Sequence, residues 1–139
     1  TALRLNYIKV FMSYNILIVD DSSIVRKVLI KTLGIAGVPV GDIYEAENGL
    51  VALEILESNW VDLIFLDINM PVMNGMEFME HLRKSSDFDE TPIIVVSTEG
   101  SKERKEELFD KNIKAYLRKP ITPEELANKV NEILGGENK

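Results

Sequence analysis

The sequence predicts an α/β fold, a single doubly wound (βα)5 sandwich around a five-stranded parallel sheet. Three observations carry that expectation. Short apolar runs alternate five times with segments of helical periodicity, which is the signature of strands joined by crossover helices. The runs are continuous and β-branched rather than alternating, as strands buried on both faces require. None reaches the roughly 18–20 apolar residues of a membrane span.

The elements follow in order. Residues 15–20 (NILIVD) form the first strand, ending abruptly in carboxylates. Ile24, Val25, Val28, Leu29 and Leu33 recur at steps of three and four, predicting a helix with one apolar face and Gly34 and Gly37 as its stop signals. Residues 43–46 are a short second strand, Asn48-Gly49 a turn, and Leu50, Leu53 and Leu56 a second helix that closes before Ser58-Asn59. Residues 61–66 (VDLIFL) form a third strand ending in Asp67; a loop over residues 68–75 precedes a third helix marked by Phe78, Met79 and Leu82. Residues 92–97 (PIIVVS) form the fourth strand. The charge-rich helix over residues 101–110 has little apolar face beyond Leu108 and Phe109, so it should be the most exposed and mobile. Residues 114–118 form the fifth strand, and the last helix starts with Thr122 at the N-cap, Pro123 at N1 and Glu125 at N3. Leu126, Val130, Ile133 and Leu134 supply its core stripe. Residues 1–13 stand apart as an N-terminal extension, read equally as an added tag, an upstream start or a short extra element. Residues 14–134 form the domain and residues 135–139 a flexible tail.

Composition narrows the chemistry. A chain of 139 residues fits one domain that buries about 68–70% of its unfolded surface. The absence of cysteine excludes thiol catalysis and zinc ribbons, and a single histidine excludes a His-cluster metal site. With 16 Lys plus Arg against 23 Asp plus Glu, the net charge of −7 repels phosphate backbones, so no direct nucleic-acid binding is expected. Residues 1–11 carry Arg4 and Lys9 within an apolar stretch and do not read as a secretion signal. The expectation is a soluble, cytoplasmic monomer with a small cation as ligand.

In open parallel sheets, ligands bind beyond the carboxyl ends of the strands, at the switch in strand order. Those ends carry Asp20-Asp21, Asp67, Ser97-Thr98 and Lys119-Pro120. Three crowded carboxylates either protonate or gather a hard divalent cation, and Mg2+ suits an oxygen donor set that shares its ligands with phosphate and water. Beside a cation and Lys119, Asp67 can act as a nucleophile toward phosphorus, with Ser97 bonding the transferred phosphoryl oxygens.

The motifs ILIVDD, IFLDINMPVMNG, PIIVVST and AYLRKP, in this order and spacing, resemble response-regulator receiver domains, most closely the stand-alone chemotaxis regulators of the CheY type. The resemblance covers about residues 14–134. It implies the flavodoxin-like strand order 2-1-3-4-5 and a phosphoacceptor at Asp67. It further implies Mg2+ held by Asp21, Asp67 and the backbone carbonyl of Asn69, with Asp20 acting through bound water. Ser97 matches the family's Ser/Thr switch, Tyr116 its mobile aromatic, Lys119 its phosphoryl-contacting lysine and Lys119-Pro120 its cis peptide. Asn69 and Glu99 occupy the positions that tune self-dephosphorylation. Thr98 departs from a frequent Ala or Gly, and its branched side chain is expected to slow phosphoryl exchange with small donors and water. The implied partners are a histidine kinase and a phosphorylation-dependent protein target, either a flagellar motor switch or a histidine-phosphotransfer domain. The implied activity is self-phosphorylation and slow self-dephosphorylation rather than turnover of a substrate.

Other readings are weaker. A phosphorelay intermediate or a receiver excised from a larger regulator shares every motif. An aspartate-nucleophile phosphatase of the haloacid-dehalogenase type needs a second acid where Asn69 stands, and an amide cannot donate that proton. Asp20-Asp21 would repel the phosphate of a flavodoxin-like cofactor, and no P-loop is present. His81 reads as a surface residue, and the mixed-sign run from Lys102 to Glu107 as a solvated face.

Overall fold

The computed structural model describes residues 13–88, 90–98 and 100–135. The expectations for residues 1–12, for Glu99 and for the tail beyond Gly135 lie outside the described residues. Strands β1 (Tyr14–Val19), β2 (Val40–Ala46), β3 (Leu63–Leu66), β4 (Ile93–Ser97) and β5 (Ala115–Arg118) alternate with helices α1 (Ser23–Ile35), α2 (Gly49–Ser58), α3 (Gly75–Lys84), α4 (Lys102–Asp110) and α5 (Pro123–Leu134). The strands pair in parallel in the order β2-β1-β3-β4-β5, the order the receiver-domain resemblance implied.

Strand periodicity divides the core. Leu17, Val19, Ile64, Leu66 and Val95 face α2 and α3, where Ala52, Leu56, Phe78, Met79 and Leu82 complete one apolar layer together with Leu108 of α4. Their sequence neighbours Ile16, Ile18, Leu63, Phe65, Ile94 and Val96 face Leu29 and Leu33 of α1 and Leu126 and Val130 of α5. Continuous apolar strands are needed because both faces are covered. Val19 is in register with both Ala46 and Leu66, and Leu66 with Val95, so the carboxyl ends of adjacent strands lie side by side. The chain steps from β1 outward to β2 and then back to β3, which puts the switch point between the residues that follow β1 and β3.

The local signals are honoured with a few differences. Thr122 and Glu125 form a full capping box with Pro123 in the first turn of α5, and Asn74 and Glu77 form another on α3. The Asn48 side chain accepts from the Val51 N–H at 2.9 Å, making it the N-cap of α2 rather than only a turn residue. Gly34 does not stop α1; it lies within the helix, and the reversal comes at Gly37, whose φ of 77° favours glycine. The apolar face expected on α1 is also only half a core face. Leu29 and Leu33 are buried, whereas Ile24 and Val28 stand 73% and 58% exposed, lining a cavity shared with Pro120 and Ile121 rather than packing into the core. Strand β2 starts earlier than expected; as an edge strand it needs no apolar run over its first residues. Of the two apolar residues expected on the face of α4, Leu108 is buried and Phe109 stands 48% exposed. Among the described residues no helix is long and apolar enough to cross a membrane.

Candidate functional site

The residues immediately after β1 and β3 bring Asp20, Asp21 and Asp67 together, with one carboxylate oxygen of each within 4.8 Å of the others. Asp20 and Asp67 are buried and Asp21 is exposed. Asp20 is held from several sides. Its Oδ1 accepts the Ser22 N–H at 2.9 Å, and its Oδ2 accepts Lys119 Nζ at 2.8 Å. Ser22 in turn is the N-cap of α1, accepting the Val25 N–H, so capping falls to Ser22 and leaves the two aspartates free to line the crevice. Asp67 Oδ1 accepts the Ile68 N–H at 2.9 Å and lies 4.0 Å from Lys119 Nζ. Lys119, at the end of β5 and ahead of a cis peptide to Pro120, therefore bridges two carboxylates and sits closer to Asp20.

Burial pushes the Asp67 carboxyl from its ordinary 3.8 up to about 6, even though the Lys119 ammonium pulls it down. The Asp20 carboxylate adds to the rise, the Ile68 N–H opposes it, and Asp21 adds the smallest push. Concentrated negative charge with hard oxygen donors and a destabilised carboxylate suits a hard divalent cation. Asp20, Asp21 and Asp67 are the side chains that could hold such an ion. Asn69 follows in the same loop with its side chain exposed.

The loop that carries Asp67 toward α3 is tightly built. Gly75 N–H bonds the Ile68 carbonyl at 2.9 Å, and a Cβ at Gly75 would lie 2.6 Å from the Asp67 carbonyl oxygen. Only glycine allows α3 to begin this close to Asp67. Gly49 N–H bonds the Met73 carbonyl, tying the loop to α2. At its tip the exposed Val72 adopts a φ of 66°, an unfavourable conformation for a branched residue.

On the β4–β5 side, Ser97 is 1% exposed and its carbonyl accepts the Lys119 N–H. Thr98 is exposed at the end of β4. The Tyr116 ring packs against the core, with its Oη buried and without a hydrogen-bond partner among the described residues. Lys105 Nζ of α4 lies 5.2 Å from the ring centroid. The structure thus brings together Asp20, Asp21, Asp67 and Lys119, with Ser97 and Tyr116 on the adjoining strands. His81 is exposed.

Arg26 was not singled out from sequence. Its Nη1 donates to the Asp20 carbonyl at 2.6 Å and its Nε to Glu45 Oε1 of β2 at 3.0 Å. Together these bonds fix the peptide between the two aspartates. The available signal was weak: an arginine six residues beyond Asp20, on a helix whose apolar pattern drew attention elsewhere.

Comparison with known proteins places this site in context. A family model described as the response regulator receiver domain matches residues 16–131. The chemotaxis protein CheY1 of Helicobacter pylori is 38% identical over 121 residues, spanning 86% of this chain and 96% of that protein. The crystal structure of the Vibrio cholerae chemotaxis protein CheY4 superposes with a TM-score of 0.78 at 35% identity, covering 88% of this chain and 99% of that one. The receiver domain of the Pseudomonas aeruginosa sensor histidine kinase PA1611, described with a magnesium ion coordinated in its active-site cleft, shares the fold at a TM-score of 0.77 and 23% identity, covering 88% and 98% of the two chains.

Proposed function

The chain belongs to the response-regulator receiver domain family of two-component signalling, and from that premise we propose that Asp67 accepts a phosphoryl group from a histidine kinase and that the phosphorylated form binds a protein target, in chemotaxis. The observation that carries this reading is the meeting of Asp20, Asp21 and Asp67 with Lys119 at the switch point of the sheet.

Ionised Asp67 is the nucleophile. One carboxylate oxygen attacks phosphorus while the phosphorus–nitrogen bond of a phosphohistidine breaks, and the electron pair returns to the imidazole. Asp21, Asp67 and the Asn69 carbonyl would hold Mg2+, with Asp20 acting through bound water, and the ion would supply charge neutralisation at the phosphoryl oxygens. Lys119 already stands between Asp20 and Asp67, so it can turn toward the new anion without leaving the crevice. The Ser97 hydroxyl donates to a phosphoryl oxygen. Movement of Ser97 changes the space beside Tyr116, whose buried Oη has no hydrogen-bond partner among the described residues. The surface formed by α4, β5 and α5 then favours a different shape, and a target with higher affinity for that shape shifts the population. Exposed Thr98, with Asn69 and Glu99, sets how readily water reaches the phosphoryl group.

Chemotaxis is supported by the likeness to CheY1 and CheY4. A flagellar motor switch is the corresponding target, and a phosphotransfer domain the alternative in a relay. Intact-mass measurement after incubation with Mg2+ and acetyl phosphate tests the core of the proposal. One added phosphoryl group is expected, lost without the metal and lost in Asp67→Asn; no adduct with this donor or a phosphorylated kinase would overturn it.

A further inference from the structure

Next to Asp67 lies a cavity of about 220 Å3 between α1 and the β5–α5 connection. Ile18, Phe65 and Val96, all core residues, form its floor. Its outer walls are Ile24 and Val28 of α1, facing Ile121. The polar character is concentrated at one end, where Asp20, Asp67 and Lys119 line the same space.

Ile24 and Val28 are among the most exposed large apolar residues described, and they stand beside the carboxylate assigned as phosphoacceptor. A helix of a protein donor laid across α1 would cover these two side chains from outside. The apolar lining suits a slender hydrocarbon tail, and an anionic head attached to it would reach Lys119 beside Asp67.

We propose that this cavity holds the hydrocarbon tail of small acyl phosphates, so that the domain takes phosphoryl groups preferentially from donors with chains longer than acetyl. The inference rests on the assignment of Asp67 as phosphoacceptor. In the reaction, an Asp67 oxygen bonds phosphorus as the bond from phosphorus to the acyl oxygen breaks. The departing carboxylate keeps the electron pair, and no proton changes hands. Apolar cavities near 150 Å3 hold a benzene-sized ligand, so the space beside Asp67 suits a chain of about four to six carbons. Each buried methylene contributes about fourfold to the rate at limiting donor.

The test compares acetyl and butanoyl phosphate as donors to the whole chain in Mg2+, with phosphoryl incorporation followed by intact mass. Reaction of both donors with hydroxylamine in solution corrects for intrinsic reactivity. The corrected second-order rate constant is expected to be about 16-fold higher for butanoyl phosphate. Ile24→Ser and Val28→Ser, at exposed positions, should each bring that ratio toward one. Equal rate constants in the wild type, or a ratio unchanged by both substitutions, would overturn the inference while leaving the receiver assignment standing. Equal rates accompanied by slower transfer from a phosphorylated histidine-phosphotransfer domain in Ile24→Ser would give the groove to a protein donor instead. Failure of both donors and of the protein donor would remove the assignment of Asp67 and this inference with it.

Discussion

Asp67 concentrates the cost of the site in one side chain. Its carboxyl titrates near 6 in the fold against 3.8 as the ordinary value, so between those two pH values the native state holds a proton that the unfolded state has released. Stability conferred by the neutral form is present below about pH 4 and is lost as the pH rises through 6. Asp67→Asn in metal-free protein is therefore expected to be more stable than the wild type at pH 7 by about 1–2 kcal/mol, after discounting for solvent screening. Urea unfolding at pH 7 and pH 4 checks this, since the advantage should vanish at the lower value. The role proposed for Thr98 is one of access rather than of charge. It is exposed at the mouth of the site, and Thr98→Ala should speed both uptake from acetyl phosphate and loss of the phosphoryl group to water, as read by time-resolved intact mass; unchanged rates would dismiss its screening role. Both residues were legible as strand-end polar groups. The raised pKa was not, because it comes from burial and from neighbours about 50 positions away along the chain.

The caps and breaks of individual elements place the site within narrow tolerances. Gly75 starts α3 against the backbone of Asp67 and Ile68, where a Cβ would lie 2.6 Å and 2.8 Å from their atoms. Backbone atoms cannot rotate aside as a flexible side chain can. Gly75→Ala should cost about 1–3 kcal/mol in denaturant unfolding and should also lower phosphoryl incorporation at Asp67 by displacing its carbonyl. The capping box at Thr122 and Glu125 was readable because a cap is a local hydrogen-bond pattern. The true extent of the α1 core face was not. Helical spacing grouped Ile24 and Val28 with Leu29 and Leu33, but spacing reports only that residues share a side of the helix. Whether that side is covered depends on how closely the neighbouring elements approach it. Arg26 escaped for a related reason: its partners, the Asp20 carbonyl and Glu45, become adjacent only when α1 is laid against β1 and β2.

For the whole molecule, the site is a region where the fold tolerates electrostatic repulsion that a bound cation would relieve. Mg2+ bound only by the native state stabilises by mass action, about 2.7 kcal/mol at 100 times its dissociation constant, and a domain of this size should gain about 5–10 °C in melting temperature. Thermal unfolding with and without Mg2+ measures the gain, which should fall sharply in Asp21→Asn, whose exposed carboxylate contributes little to the apo fold. By itself the sequence determined the order of elements, the burial of both sheet faces and the identity of the residues at the strand ends, because strand and helix periodicities and caps are properties of short stretches. Tertiary structure alone decided which carboxylate Lys119 holds more closely, how far burial raises Asp67, and that an apolar cavity opens beside it. Those quantities depend on distances between segments remote in sequence, and they exist only once β1, β3 and β5 stand in register within one sheet.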